Sequence, residues 1–218
     1  MAAITYKPDG PVLKQFMKSD MFVRGIRGPI GSGTSTACCV ELFRRAAAQA
    51  PDSSGKRRTR HAIIRNTFPE LKLTTAKTWL EWFPEEDFGH FSWSPPFIHM
   101  IKINDIEMEV IFLALDKPED IKKLLSLELT CAWVNEAREV PKAIVDAATS
   151  RLRRFPAVKD GGCTFSGLIM DTNAPNEEHW WPIMAGEVEP PDWMPEQDKL
   201  TLITPQNWEF FTQPPGML

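Results

Sequence analysis

Gly28-Pro29-Ile30-Gly31-Ser32-Gly33-Thr34-Ser35-Thr36 is the stretch on which the fold of this chain turns. It has the outline of a phosphate-binding loop: glycine, four residues, glycine-lysine, then serine or threonine. Gly28 and Gly33 hold the glycine positions and Ser35 the hydroxyl position, but Thr34 stands where the lysine belongs. Glycines let backbone close on an anion, and a following helix offers free N–H groups and its positive dipole end. Gly28, Gly31, Ser32, Gly33, Thr34, Ser35 and Thr36 are therefore candidate nucleotide-binding residues, with the Ser35 hydroxyl offered to Mg2+. The charge of the missing lysine must come from elsewhere. Arg24 and Arg27 are nearest in sequence, and Arg27, adjoining Gly28, is preferred. On this stretch alone, a glycine-rich strand-to-helix turn with no ligand is an equally good reading.

The surroundings fit a phosphate loop. Met21 to Ile26 is a short apolar segment, as for a strand. After the loop, Cys39, Leu42, Phe43 and Ala46 recur at helical spacing, and Pro51 stops the helix. Residues 52–60 read as a polar loop, 61–67 as a buried strand and 69–83 as a helix. Two strands meet at Asn104-Asp105, and Asp116 opens a short helix. Leu129 to Val134 is a strand, Val140 to Leu152 a helix and Gly167 to Met170 a last strand. Residues 1–20 show little periodicity. The Pro- and Trp-rich residues 187–218 read as an extended tail or linker after a domain of residues 1–186. Short apolar strands alternating with amphipathic helices predict an α/β fold with a mainly parallel central sheet and helices on both faces.

Ligands of such sheets bind beyond the carboxyl ends of the strands. Two further strand ends carry chemistry. Val134-Asn135-Glu136 follows the pattern of an apolar strand ending in two acids, of which the first supports Mg2+ and the second polarises a water. Here the first is Asn135, whose carbonyl oxygen can face a metal-bound water, and Glu136 is the candidate general base. Asp171-Thr172-Asn173 ends another strand, where Thr172 and Asn173 can hydrogen-bond a γ-phosphate or the attacking water. Taken singly, the first pair is a solvent-facing charge and the second an Asx turn before Pro175. Taken with the loop, they favour a nucleotide site.

Composition narrows the alternatives. A net charge of −4 over 218 residues argues against a dedicated nucleic-acid coat. Lys56-Arg57-Arg58-Thr59-Arg60 and Arg151-Leu152-Arg153-Arg154 are local basic clusters, each read first as a solvated surface. The four cysteines and four histidines lack metal-ligand spacing. No apolar run has the length of a membrane span, so the expected compartment is the cytoplasm.

In this ordered set the sequence resembles the ATPase domain of the large terminase subunit of tailed bacteriophages, the motor that packages DNA into proheads. The resemblance spans residues 5–215. It rests on Arg24 to Thr36, Arg65-Asn66-Thr67, Ala114 through Leu129, Trp133 to Ala137, and Leu168 to Pro175. It implies a P-loop NTPase of the additional-strand, catalytic-glutamate type, with ATP and Mg2+ as ligands. Glu136 is then the residue that activates water, and Asp171-Thr172-Asn173 the coupling motif. Relatives with unorthodox loops place the cation upstream, as Arg27 would be. The resemblance further implies a homo-oligomeric ring around double-stranded DNA, portal protein and small terminase subunit as partners, and the host cytoplasm as location. One of Lys122, Lys123 and Arg151 would act as a basic finger on the neighbouring subunit. Thr34 and Asn135 depart from the family pattern. Full-length members also carry a nuclease domain, for which this chain offers no carboxylate set. Rival readings are a catalytically weak nucleotide-binding module, a helicase-like translocase and a small-molecule kinase.

Overall fold

The computed structural model describes residues 5–215, so the first four and last three residues of the expected domain division lie outside it. The described elements are, in order, α1 Gly10–Lys18, β1 Val23–Arg27, α2 Thr34–Ala47 and β2 Arg57–Arg65, then α3 Phe68–Glu70, a π-helical turn Leu71–Thr75, α4 Ala76–Trp82 and α5 Glu85–Phe88. β3 Phe91–Ser92, β4 Phe97–Ile103, β5 Ile106–Ala114, α6 Ile121–Leu125, β6 Cys131–Asn135, α7 Lys142–Thr149 and β7 Gly167–Thr172 follow. α8 Trp180–Met184, α9 Glu196–Thr201 and β8 Trp208–Thr212 come last, and short 3-10 turns lie at Pro118–Asp120, Ala137–Glu139 and Val158–Asp160. The strands form one mixed sheet in the order β3-β4-β5-β2-β6-β7-β1-β8. β5 through β8 in that order are mutually parallel, and β3 and β4 add an antiparallel edge.

Strand alternation sorts the core into two layers. Ile26, Ile63, Trp133 and Ile169 pack against α1, α2 and α4 through Phe16, Cys38 and Trp79. Val23, Ile64, Val134 and Met170 pack on the other face against α6, α7 and α8 through Leu124, Ile144 and Trp181. The expected mainly parallel sheet with helices on both faces is therefore present. β7 lies between the loop strand β1 and the strand β6 that ends in Asn135.

Four local expectations are corrected. Arg57 to Arg60 belong to β2 and not to a loop. Arg57 pairs with Asp105 at 2.7 Å, Arg58 with Glu107 at 3.2 Å, and Arg60 with Glu109, all on or beside β5. Cross-strand partners turn a polar run into a strand end, and most of that basic cluster is neutralised. Residues 10–18 form a helix whose Leu13, Phe16 and Met17 are buried at i, i+3 and i+4. Asp116 does not cap α6; Asp120 reaches back to the Asp116 and Lys117 amides. Residues 187–218 are not wholly a tail, because β8 pairs with β1 from Val23↔Trp208 to Arg27↔Thr212.

Candidate active site

The phosphate loop is built as its letters require. Gly33 caps α2 in left-handed backbone, φ 78°, a conformation that costs glycine least. A Cβ on Gly28 would stand 2.5 Å from Ser32 Oγ, so a larger residue there would displace the Ser32 side chain. The Gly28 amide donates to the Thr172 carbonyl at 3.1 Å, which seats the loop on the end of β7. Pro29, Ile30, Gly31, Gly33, Thr34, Ser35 and Thr36 line an open cleft of about 390 Å³ together with Thr78, Glu81, Glu136 and Asn173. Gly28 and Ser32 are buried beneath the loop. Thr172 is buried too, with its hydroxyl accepting from the Arg138 amide at 3.3 Å.

Behind the cleft lies a polar cluster at three neighbouring strand ends. In register, Arg65 ends β2 one residue beyond the Ile64↔Val134 pair, and Asn135 on β6 faces Asp171 on β7. All three follow the alternation of the α2 face. Ser35, Arg65, Thr74, Thr75, Thr78, Trp133, Asn135 and Glu136 enclose a cavity of about 150 Å³ there. Asp171 is 1% exposed. It accepts from Ser35 Oγ at 2.5 Å, Trp133 Nε1 at 2.7 Å and Asn135 Nδ2 at 3.0 and 3.2 Å. Asn135 Oδ1 in turn accepts from Thr75 Oγ1 at 2.7 Å. Thr75 closes the π-helical turn, a break in regular helix that is frequent at functional sites. The expected outward-facing Asn135 carbonyl is thus already engaged by Thr75. Ser35 Oγ and the Asp171 carboxylate offer oxygen ligands of the kind a hard divalent cation takes, with the Trp133 and Asn135 N–H groups beside them. Among the described residues no group of three or more His, Cys, Asp or Glu is placed to hold a metal ion.

Glu136 follows β6 in left-handed backbone, φ 51°, and its carboxylate lies at the cleft. Asn173 donates to it through Nδ2 at 3.0 Å and through its amide at 3.4 Å, and Arg138 approaches at 3.4 Å. Burial pushes the Glu136 carboxyl above its usual range, the neighbouring Asp171 adds to that, and Asn173, Arg138 and Arg65 oppose it. Burial likewise raises Asp171, against the hydrogen bonds from Ser35, Asn135 and Trp133.

The two upstream arginines are placed elsewhere. Arg24 is buried and ion-paired to Glu41 at 2.8 Å. Arg27 follows the alternation of the opposite sheet face, pairs with Glu187 at 2.6 Å and donates to Thr212 at 3.3 Å. It lines neither the cleft nor the cavity. Arg65, 5% exposed, does line the cavity; it pairs with Glu139 at 2.8 Å, and its Nε has no partner among the described residues. Sequence reading groups Arg65 with a motif but assigns it no role. Its strand-end position on the loop's face is the available signal. Of the proposed finger residues, Lys123 pairs with Asp120 at 2.7 Å and Arg151 donates to the Leu125 carbonyl at 2.6 Å.

No protein-family model matches the sequence, and no curated protein does. Solved structures do. The large terminase of a thermophilic bacteriophage is similar with a TM-score of 0.64 at 13% identity, over 94% of this chain and 46% of that one. The same protein in complex with ADP gives 0.59 at 15% identity, over 93% and 44%. The large terminase ATPase domain of Thermus phage P74-26 gives 0.55 at 16% identity, over 96% and 82%. This chain thus spans under half the length of the first protein and most of the Thermus phage domain, and its α/β fold is similar to that of the large terminase ATPase domains.

Proposed function

We propose that this chain binds and hydrolyses ATP as the motor domain of a viral DNA-packaging machine. The observation that carries it is the convergence of Glu136, Asn173 and Ser35 on one cleft at the N-terminus of α2. The thermophilic phage terminase in complex with ADP supports a nucleotide as the ligand of this fold. β7 between β1 and β6, with Glu136 at the end of β6, supports the additional-strand, catalytic-glutamate type.

The loop amides and the α2 terminus hold the β- and γ-phosphates. Glu136, its carboxyl raised above the usual carboxylate range by burial, takes a proton from the attacking water. The water oxygen bonds to the γ-phosphorus, and the bond to the bridging oxygen breaks, releasing ADP and phosphate. Asn173 holds the Glu136 carboxylate at the cleft. Ser35 and the oxygen groups at the strand ends beneath it would hold Mg2+, which when bound neutralises phosphate oxygens. Residues 1–186 together with β8 form the motor domain in this reading. Double-stranded DNA, portal protein, small terminase subunit and a homo-oligomeric ring in the host cytoplasm are the partners and setting it implies, with Lys122, Lys123 or Arg151 acting in trans.

Steady-state ATPase assays on the wild type and Glu136→Gln, with and without DNA, test it. Loss of a general base lowers turnover by about 10²–10⁴-fold while nucleotide binding persists; equal turnover in both removes Glu136 from the chemistry. Thr34, together with Arg27 turned toward Glu187, favours a second reading, a binding module with weak turnover. Tight ATP binding with no Glu136-dependent hydrolysis on DNA would select it.

A further inference from the structure

We propose that Asp171 on β7, and not a residue of β6, is the carboxylate that anchors nucleotide-bound Mg2+ behind Ser35. The proposal rests on the ATP-binding reading above and names which side chain does the work of the acid missing at position 135.

The geometry gives Asp171 that place. The hydroxyl of the phosphate loop, Ser35 Oγ, donates to Asp171 and not to Asn135. Asn135 and Asp171 are register partners on adjacent parallel strands, so one step across the sheet moves the carboxylate without moving it off the loop's face. A carboxylate only accepts, so Asn135 must present its NH2 to Asp171; its Oδ1 is occupied by Thr75. Asn135 therefore has its donor side where a metal ligand would need an acceptor. An aspartate at 135 would set two carboxylates against each other, and one would hold a proton. Asparagine there lets a single charged carboxylate persist at 171.

The charge itself is the second argument. Asp171 is buried and bonded only to neutral donors: a hydroxyl, an indole and an amide. It forms no ion pair within 4.0 Å among the described residues, and Arg65 acts on it only at longer range. A buried anion without a cation is expensive. Residues that only tied strand ends together would do so more cheaply with an amide at 171. An arriving cation beside Ser35 removes the expense.

Calorimetric titration of ADP, in Mg2+ and in EDTA, separates the possibilities, with the melting temperature followed in parallel. The wild type gains affinity when Mg2+ is added. Asp171→Asn, which can keep the three neighbouring hydrogen bonds by amide orientation, binds ADP in EDTA as the wild type does. It loses the Mg2+ gain by about 10–100-fold, the usual scale for a disrupted metal environment. A full Mg2+ gain in Asp171→Asn overturns the proposal. Should that variant fail to fold, Asn135→Asp is the second: an added carboxylate beside Asp171 lowers the metal-free melting temperature and enlarges the Mg2+ gain, and an unchanged gain overturns it. A wild type that binds no ADP under either condition sinks the nucleotide-site reading itself, whereas Mg2+-dependent binding untouched by both substitutions sinks only the role of Asp171.

Discussion

Arg27 and Arg65 show how much a single step along a strand decides. Successive side chains point to opposite faces, so Arg27 and Ile26 cannot both face α2, and Ile26 is in that core. Arg27 consequently meets Glu187 and Thr212. Adjacency in sequence made it the natural substitute for the lysine absent at Thr34; parity along β1 was equally legible there and points the other way. Arg65 has the required parity and reaches both Asp171 and Glu136 electrostatically. If Arg65 supplies the missing charge, Arg65→Ala weakens ATP binding at least tenfold more than Arg27→Ala, measured by calorimetry with Mg2+ present. The reverse order restores Arg27. The position of Glu136 at the cleft, by contrast, was legible, because the signal was an acid placed directly after an apolar strand. Its link to Asn173 needed coordinates, since 37 positions separate the two.

At the level of elements, long periodic segments were legible and short edge pieces were not. α2 and the β4–β5 hairpin carry repeated spacing, while β8 is a five-residue strand between prolines, with intermediate burial along most of its length. Its pairing partner, β1, lies far away in sequence, so no local pattern announces it. β8 is nonetheless structural: Phe210 stacks edge-on to Trp181 at 5.1 Å, and Phe211 to Phe16 at 5.7 Å, clamping both faces of β1. Truncation after residue 206 should expose β1 as an edge, remove both contacts, and destabilise the fold by about 3–5 kcal/mol, as large-to-small aromatic changes do. Urea unfolding measures it. Unchanged stability would return residues 207–218 to the extended tail or linker expected over residues 187–218.

Across the whole molecule, buried titratable groups make stability depend on pH in opposing directions. His61 is fully buried with neither ring nitrogen bonded among the described residues, and burial holds its pKa down at about 3 against 6.5. A depressed pKa means stability present above 6.5 and lost as pH falls toward the folded value, on the order of 5 kcal/mol in total. Asp171 and Glu136 have raised pKa values, so their contribution is present in acid and lost as pH rises through those folded values. His61→Leu should therefore flatten the acid side of a plot of melting temperature against pH and leave the alkaline side alone; an unchanged acid limb would refute the assignment. The same accounting applies to the backbone at Glu136. A non-glycine residue at φ 51° costs about 1–2 kcal/mol, a sizeable part of the roughly 5–15 kcal/mol that keeps a domain folded. Glycine or asparagine at that position would relieve the strain through one mutation. The Glu136 carboxylate is therefore held at the cleft by backbone that is itself costly, so Glu136→Gly should remove the carboxylate without lowering the melting temperature.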